Sequence, residues 1–440
     1  MVPSLLAFHV FAILQISTAF RLPTVPAKAT PVRAASSAAV SVSLGGVTYV
    51  NQGLAELGAP LQLKPGTWQA LSNGSFTGTL VVQPDRGFNV ISTIDYQARR
   101  HELDFVLTPY YDSADLTFAA AQKTFALTYK DTVLETSGLD PSAIRAAMSG
   151  AGTNPLADPQ MPIAMSMREG LVANADGTYW TSDEYGPYIY LFSADGHLIQ
   201  TIQPPQAILP FDSKGNLNFT ANVDPATGRG AKPSQASQSP SSGNGVVPLP
   251  LSSSGKVEAT SEIHFVSEGV FLCLARDGNG HGGSGDKIKY KHADLFSIAN
   301  ATDIHGTAFD SPSTPVAPKG KLSKTITPAT YVSFVDYADA TQLARFGLHN
   351  GALLIFIATQ TTTPLLDAKW ESLALAPVGD SSAPDDFFLF TASDNDFLST
   401  QGVSLGVPYN AGEDVDNQFL VFRVTLPGAS ANVKKALGLC

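Results

Sequence analysis

The chain is poor in cysteine and in basic residues, and each shortage excludes a class of protein. Only Cys273 and Cys440 are present among 440 residues, too few for a disulfide framework. The 27 Lys and Arg face 38 Asp and Glu, which leaves a net charge of −11. Phosphate backbones bind clustered basic side chains, so we expect no nucleic-acid partner. Such an acidic chain suits divalent cations better.

Long apolar runs are missing after the first residues. Residues 1–19 lack charged side chains, are nearly all apolar from Leu5 to Ile16, and end in small residues, as a cleaved signal peptide does. No later run approaches the roughly 20 apolar residues of a membrane helix. Glycosylation sequons occur at Asn73, Asn218 and Asn300. We therefore predict a secreted, extracellular glycoprotein with no membrane span after signal cleavage.

Helical periodicity is scarce as well. Only residues 115–127 and 140–148 have a helix-like pattern. Elsewhere short runs of Val, Ile, Phe and Tyr alternate with Gly, Asp, Asn and Pro, which is typical of antiparallel sheets. The Asp-Gly pairs at 176–177, 195–196 and 277–278 predict hairpin turns, because Gly tolerates a positive φ. The sequence thus predicts an all-β fold.

Three stretches look like copies of one unit, in which a strand with a Glu precedes an aromatic strand that ends in an acidic turn. The Glu residues are Glu169, Glu262 and Glu371, and the matching turn acids are Asp183, Asp277 and Asp394. Imperfect repetition of such a unit predicts a β-propeller. Equivalent blade ends gather at one mouth of the central channel, so these acids would converge there. The alternative is that the acids only cap turns.

One segment resembles a known family. Residues 176–190, with Asp183-Glu184-Tyr185-Gly186-Pro187 at their centre and Glu169-Gly170-Leu171 ahead of them, resemble the phytase-like family, named for the esterase-like activity of phytase. Asp85-Arg86-Gly87 is similar to its first-blade turn, and Ser261 to Phe265 and Trp370 to Leu373 are similar to later blades. The resemblance covers residues 78–426 and implies a β-propeller of about six blades.

Two segments depart from the family pattern. A Ser, Pro and Gly-rich stretch at 229–245 stands where the family has a further blade, and residues 352–363 look like an insertion. The alternative is therefore that one blade is truncated or missing, because of a splice variant or a faulty gene model. We divide the chain into a signal peptide (1–19), a leader (20–45), the propeller domain (46–428, with the loop at 229–245) and a tail (429–440).

Familiar nucleophile motifs do not account for a reaction. Residues 402–406 read Gly-x-Ser-x-Gly, but the last histidine, His349, precedes Ser404, whereas a nucleophile elbow needs a later His. Carboxylates remain. The loop at 277–286 has oxygen ligands that could wrap a Ca²⁺, although a plain loop is the alternative.

We favour a secreted phytase-like hydrolase that acts on phosphate or carboxylic esters of small molecules at a carboxylate-lined channel mouth. The alternative is a non-catalytic propeller that binds a ligand or a protein partner. The predicted catalytic residues are Glu169, Asp183, Glu184, Glu262 and Glu371. The predicted substrate-binding residues are Asp85, Arg86, Arg276, Asp277 and His281. The two arginines would clamp phosphate oxygens, or else pair only with neighbouring acids.

A calcium cofactor is the last prediction. Converging carboxylates repel one another unless a cation lies among them. The predicted Ca²⁺ ligands are Asp183, Glu184, Glu262, Glu371 and Asp394. In the alternative, the glutamates hydrogen-bond neighbouring blades and hold the ring together.

Overall fold

The structure is a computed structural model that describes residues 42–50, 60–84, 98–136, 168–183, 189–202, 245–310, 314–351, 364–396, 398–404 and 407–439. Within these ranges the protein is mostly β, as predicted, and four antiparallel sheets are arranged as a four-blade β-propeller. We expected about six blades. The signal peptide, the helix candidate at 140–148, nearly all of the Ser/Pro/Gly-rich loop and the insertion at 352–363 lie outside the described residues.

Blade 1 precedes the other blades in the chain. It consists of β2 (Leu61–Leu63), β3 (Gln69–Ala70), β4 (Phe76–Val82), β5 (Arg99–Leu107) and β6 (Phe125–Leu134). Its sheet order is β2-β4-β5-β6, with β3 also paired to β4. The innermost position is therefore shared by two short strands. A helix was expected over 115–127, but only α1 (Phe118–Ala121) is helical, and Thr124 ends the turn before β6.

Blades 2 and 3 have four strands each, in chain order from the centre outward. Blade 2 contains β7 (Arg168–Ala173), β8 (Tyr179–Asp183), β9 (Ile189–Phe192) and β10 (Leu198–Ile202). Blade 3 contains β11 (Ala259–Ser267), β12 (Val270–Arg276), β13 (Lys291–Ser297) and β14 (Thr330–Asp336). The first two predicted repeat units are thus confirmed as the inner strands of blades 2 and 3.

The Asp-Gly turns behave differently in these two blades. Gly177 and Gly196 have φ of 86° and 87° in the tight turns of blade 2, as predicted. The pair at 277–278 was wrongly predicted as a hairpin turn, because β12 ends at Arg276 and β13 begins only at Lys291. The tight turn of that blade is instead at Gly269, between β11 and β12.

Blade 4 joins the two ends of the chain. Its innermost position is shared by β15 (Lys369–Trp370) and β16 (Ala374–Pro377), followed by β17 (Asp386–Asp394), β20 (Asn417–Thr425) and β1 (Val42–Val50). β1 pairs antiparallel with β20, from Val42 opposite Val424 to Val50 opposite Asn417. The ring is therefore closed by hydrogen bonds between an early and a late strand, and β1 starts within the segment we had assigned to the leader.

The remaining elements lie at the edges of the propeller. They are the hairpin of β18 (Gly402–Ser404) and β19 (Val407–Tyr409), α2 (Ala340–Arg345), α3 (Ser430–Ala436) and two 3-10 turns at Ala308–Asp310 and Pro318–Gly320. Residues assigned to a tail form α3, which packs on β16 and β11 and buries Val433. Among the described residues, no helix is both long and apolar enough for a bilayer.

An aromatic interface joins blades 1 and 4. It consists of Trp68, Phe76, Phe105, Phe388 and Phe390. The rings of Trp68 and Phe76 stack with centroids 5.2 Å apart, and Phe76 meets Phe388 edge-on at 4.8 Å. Such pairs add about 0.5–1.5 kcal/mol beyond the burial of their apolar area. This interface holds the first and last blades together.

Candidate functional site

Three of the predicted glutamates occupy equivalent places in their blades. Glu169 lies at the start of β7, Glu262 lies in β11, and Glu371 follows β15. Each of these strands is the innermost of its sheet. Innermost strands surround the central channel of a propeller. The repeat pattern therefore located the channel-lining strands of blades 2, 3 and 4.

The turn acids lie at the same end of these sheets. Asp183 ends β8, Asp394 ends β17, and Asp277 directly follows β12. The antiparallel register pairs Arg168 with Asp183 and Lys369 with Asp394. The start of each innermost strand is thus beside the end of the second strand, and Glu and Asp share one end of the blade.

Part of the predicted site cannot be placed. Asp85, Arg86 and Glu184 lie outside the described residues, as do the side chains of Glu169 and Asp183. The side chains of the remaining predicted residues lie where blades 3 and 4 meet.

Arg276 joins blades 3 and 4. Its Nη2 donates to Glu371 Oε1, and its Nε donates to Ser261 Oγ at 2.8 Å and to the Trp370 carbonyl at 3.2 Å. The Arg276 and Glu371 side chains are only 12% and 10% exposed. Charge-assisted bonds of this kind are the stronger ones in proteins. The predicted structural pairing of Arg276 with an acid is therefore present.

Lys369 extends the ion pair into a network. Its Nζ lies 2.5 Å from Asp394 Oδ2, 2.7 Å from Asp396 Oδ1 and 3.8 Å from Glu371 Oε1. We call Arg276, Glu371, Lys369 and Asp394, together with Glu262, the charged junction. The cation among its carboxylates is the lysine ammonium.

Glu262 differs from the other acids of the charged junction. Its carboxyl group accepts a hydrogen bond from the Leu373 backbone, and Oε1 lies 4.0 Å from His264 Nδ1. Its Oε2 is buried with no hydrogen-bond partner among the described residues. Burial raises the pKa of Glu262 well above its usual value. Its surroundings therefore favour the neutral, protonated carboxyl over the carboxylate.

Lys291 is a buried cation that sequence reasoning missed. Its side chain is 0% exposed, and Nζ donates to the Ala368 carbonyl at 2.5 Å and lies 3.7 Å from Asp277 Oδ1. Burial, aided by the Arg276 charge, lowers the pKa of Lys291 to about 7. A lysine inside an otherwise strand-like run was the available signal.

The acidic loop after β12 is held by its own hydrogen bonds. Asp277 Oδ2 accepts from the Lys289 N–H at 2.7 Å and from Asn279 Nδ2 at 2.8 Å, and Oδ1 accepts from the Asn279 N–H at 3.2 Å. Asp277 therefore organises the loop. His281, on the same loop, approaches the buried Asp367, with Nδ1 3.4 Å from Asp367 Oδ1. Asp367 was not among the predicted residues, although a charged residue in the apolar run Leu366-Asp367-Ala368 was the available signal.

The described residues do not fit a calcium site. No group of three His, Cys, Asp or Glu side chains in the described part of the chain is arranged to hold a metal ion. Of the predicted ligands, Glu371 and Asp394 face Lys369, whereas the side chains of Asp183 and Glu184 lie outside the described residues. The calcium cofactor stays a prediction.

The fold and the charged residues define a class of protein, a β-propeller with a candidate site at one end of its blades. Within that class, residues 67–231 match the family model described as "Phytase-like: Esterase-like activity of phytase". The resemblance predicted from the sequence is thereby confirmed for this part of the chain. The match begins between β2 and β3 of blade 1, and it covers the rest of that blade and all of blade 2.

Three proteins that are similar to this chain were compared with it. A protein of Arthroderma benhamiae named "Uncharacterized secreted protein" is 29% identical to this chain over an alignment of 442 residues. The alignment covers 80% of this chain and 84% of the relative. The tail fiber of Staphylococcus aureus phage P68 matches at 6% identity and a TM-score of 0.26, over 91% of this chain and 55% of that chain. A catalytically inactive virginiamycin B lyase from Staphylococcus aureus matches at 10% identity and a TM-score of 0.22, over 86% and 99% of the two chains. TM-scores this low do not support an inference about this protein.

Proposed function

We propose that the protein is a secreted hydrolase of phosphate or carboxylic esters, with its site at the blade end that carries the charged junction. Secretion is supported by the signal-like residues 1–19 and by the name of the Arthroderma benhamiae relative. Ester chemistry is supported by the description of the family model that residues 67–231 match. The blade-end placement of Glu169 and Asp183 keeps both residues in the proposed site.

The observation that carries the proposal is the unpaired oxygen of Glu262. Buried side-chain oxygens without a partner are rare in native proteins, and perturbed carboxyl groups concentrate at functional sites. Glu262 Oε2 is such an oxygen, on an innermost strand. A carboxyl whose protonated form is favoured by burial can donate its proton to the leaving-group oxygen of an ester. In the proposed site Glu262 is this acid.

The cations of the charged junction supply the second requirement. Arg276 and Lys369 both lie close to Glu371 Oε1, where blades 3 and 4 meet. Cationic donors stabilise the negative charge that develops on ester oxygens during hydrolysis. A substrate oxygen would have to compete with the Glu371 carboxylate for Arg276. We therefore assign Arg276 to substrate binding, and Glu371 to holding both cations in place.

A non-catalytic propeller is the second candidate. Arg276 is already bonded to Glu371, Ser261 and Trp370, and Lys369 is bonded to Asp394 and Asp396. A purely structural network between two blades requires cations that are bonded to protein groups in this way. In that case the blade end binds a ligand or partner without chemistry.

Activity on a panel of esters tests the proposal. Purified protein would be assayed on phytate, p-nitrophenyl phosphate and p-nitrophenyl acetate. We expect hydrolysis of at least one ester, and a loss of about 10²-fold or more in Glu262→Gln, since general acids contribute about 10²–10⁴-fold. Glu268→Gln is the matched control, because Glu268 is exposed in the β11–β12 turn. Silence on every ester, from protein folded by circular dichroism, would favour the non-catalytic propeller.

Calcium forms a separate arm of this experiment. If Asp183 and Glu184 complete a cation site with Glu262, Ca²⁺ should raise the melting temperature, because a ligand of the native state stabilises that state. Mg²⁺ at the same ionic strength is the control. An unchanged melting temperature and no heat of binding in calorimetry would rule the site out without affecting the ester proposal.

A further inference from the structure

The loop between β12 and β13 presents His281 in a single backbone conformation. The His281 N–H donates to the Leu366 carbonyl at 3.0 Å, and the His281 carbonyl accepts from the Ala368 N–H at 3.0 Å. At Gly280, with φ of 122°, a Cβ would lie 2.7 Å from the Asp367 backbone. Only glycine permits this close approach. The loop is therefore locked against the segment that precedes β15.

The side chain of His281 meets a carboxylate that is itself held in place. Asp367 is 0% exposed, and its Oδ2 accepts from Ser393 Oγ at 2.6 Å. Ser393 Oγ in turn accepts from the Gln418 N–H at 2.8 Å. Asp367 Oδ1 lies 3.4 Å from His281 Nδ1. The buried carboxylate is thus oriented toward the imidazole.

The surroundings of His281 are acidic on each side. Asp367 faces the ring from the segment before β15, and the negative charges of Glu413 and Asp416, in the segment before β20, act on it as well. The hydrogen bond to Asp367 and these charges raise the pKa of His281. Asp416 Oδ1 is buried without a hydrogen-bond partner among the described residues. The imidazole itself remains 36% exposed and within reach of a ligand.

We propose that His281, oriented by Asp367, is the general base that activates water in the site, and that its acidic surroundings favour uncharged carboxylic esters over phosphate esters. The inference rests on the proposed function and deepens it by naming the proton-transfer group and the substrate class. A buried carboxylate bonded to one imidazole nitrogen fixes the tautomer and leaves the other nitrogen as the base.

The reaction balances without any further reagent. His281 Nδ1–H faces Asp367, so Nε2 removes a proton from water while the water oxygen bonds to the ester carbonyl carbon. The tetrahedral intermediate then collapses, the bond between the carbonyl carbon and the alkoxy oxygen breaks, and Glu262, the acid of the proposed site, protonates the leaving alkoxide. The proton on Nε2 is then released to water, and Glu262 takes up a proton from water. Ester and water become acid and alcohol, and His281 returns to its neutral form.

The substrate class follows from the charges. A phosphate monoester would bring up to two negative charges beside Asp367 and into the field of Glu413 and Asp416, and like charges repel. A carboxylic ester carries none before the reaction. The same acids would instead stabilise the imidazolium that forms when His281 accepts a proton.

The first test is the pH profile of carboxylic ester hydrolysis. His281→Asn should lower kcat/KM on p-nitrophenyl acetate by about 10²-fold or more, with KM changed less than kcat. His305→Asn is the matched control, since His305 is exposed and lies far along the chain in blade 3's outer loop. In Asp367→Asn, the pKa of His281 should be lower than in the wild type. NMR titration would measure this pKa, and the corresponding limb of the pH profile of kcat/KM should move to lower pH. Wild-type kcat/KM in His281→Asn, or an unmoved limb in Asp367→Asn, would overturn the assignment.

The second test separates this inference from the proposed function. The protein should hydrolyse p-nitrophenyl acetate at least tenfold faster than p-nitrophenyl phosphate. The double variant Glu413→Gln with Asp416→Asn should have a smaller ratio of the acetate rate to the phosphate rate. Hydrolysis of phosphate esters alone would leave the proposed function intact and overturn the substrate class. Inactivity on every ester would remove both. Melting temperatures within a few degrees of the wild type would show that each variant is folded.

Discussion

The aromatic interface and the charged junction both join blade 4 to a neighbour, yet they are built from opposite chemistry. At the aromatic interface, Phe390 is 1% exposed and its ring centroid lies 5.4 Å from that of Phe105 and 5.6 Å from that of Phe125. At the charged junction, Arg276, Lys369 and Glu371 are buried among carboxylates and carbonyls. One interface excludes polar groups, and the other concentrates them.

This difference separates stability from function. Burying rings stabilises by roughly 25 cal/mol for each Å² removed from water, whatever their orientation. A buried ion pair must first overcome desolvation, so its net contribution to stability is small unless every partner is in place. The unpaired Oε2 of Glu262 destabilises the folded state at the charged junction. Costs of that kind are expected where a site serves a ligand or a reaction.

Truncating the aromatic interface should have the largest effect. Phe390→Ala removes a fully buried ring, and such changes cost about 3–5 kcal/mol of unfolding free energy. Urea denaturation would measure the loss, with Val332→Ala on the exposed surface of β14 as the control within about 0.5 kcal/mol. A loss below about 1 kcal/mol would mean that blades 1 and 4 are held together elsewhere.

Breaking the Arg276–Glu371 pair should come second. Glu371→Ala leaves a buried guanidinium without its carboxylate, and removing one partner of a buried pair costs about 3 kcal/mol or more. Replacing both partners, in Arg276→Met with Glu371→Leu, should recover most of that stability. If the double variant is as unstable as Glu371→Ala, the pair is itself a source of stability, and the contrast with the aromatic interface is lost.

Changing Glu262 should have the smallest effect on stability, with the opposite sign. The folded-state pKa of Glu262 is raised above its unfolded value, so its contribution to stability is present at low pH and is lost as pH rises through the folded pKa. Glu262→Gln should match the wild type near pH 4 and be more stable by about 1–3 kcal/mol at pH 8. Urea midpoints across this range would measure the change. Equal stability at pH 8 would show that the Glu262 carboxylate is solvated or paired.

Local patterns predicted the class of fold but not its extent. The alternation of β-branched and aromatic residues with turn residues identified the strands, and the recurrence of Glu169, Glu262 and Glu371 identified three innermost strands. The repeat marked three blades and missed blade 1, because β2 and β3 are too short to carry it, and the expected count of about six blades came from the family resemblance. Closure by β1 pairs residues more than 360 positions apart, and no local pattern records such a pairing.

The candidate site was predicted in part for the same reason. Glu262, Glu371, Arg276 and His281 were selected from their repeats and neighbours. Their partners Lys291, Lys369 and Asp367 were missed, since each lies in an alternation of charged and apolar residues, which is typical of a half-exposed strand. Charges of this kind are accounted for only when the opposing blade is known.

The sequence alone determined the all-β class, the acidic balance, the phytase-like resemblance and the order of the strand units, because these depend on residue type and short-range spacing. The tertiary structure decided which charges meet. Arg276 pairs with Glu371 across 95 positions, His281 faces Asp367 across a blade boundary, and Glu262 keeps an oxygen unpaired. Each outcome depends on how two sheets pack, and packing brings together residues whose separation along the chain carries no signal.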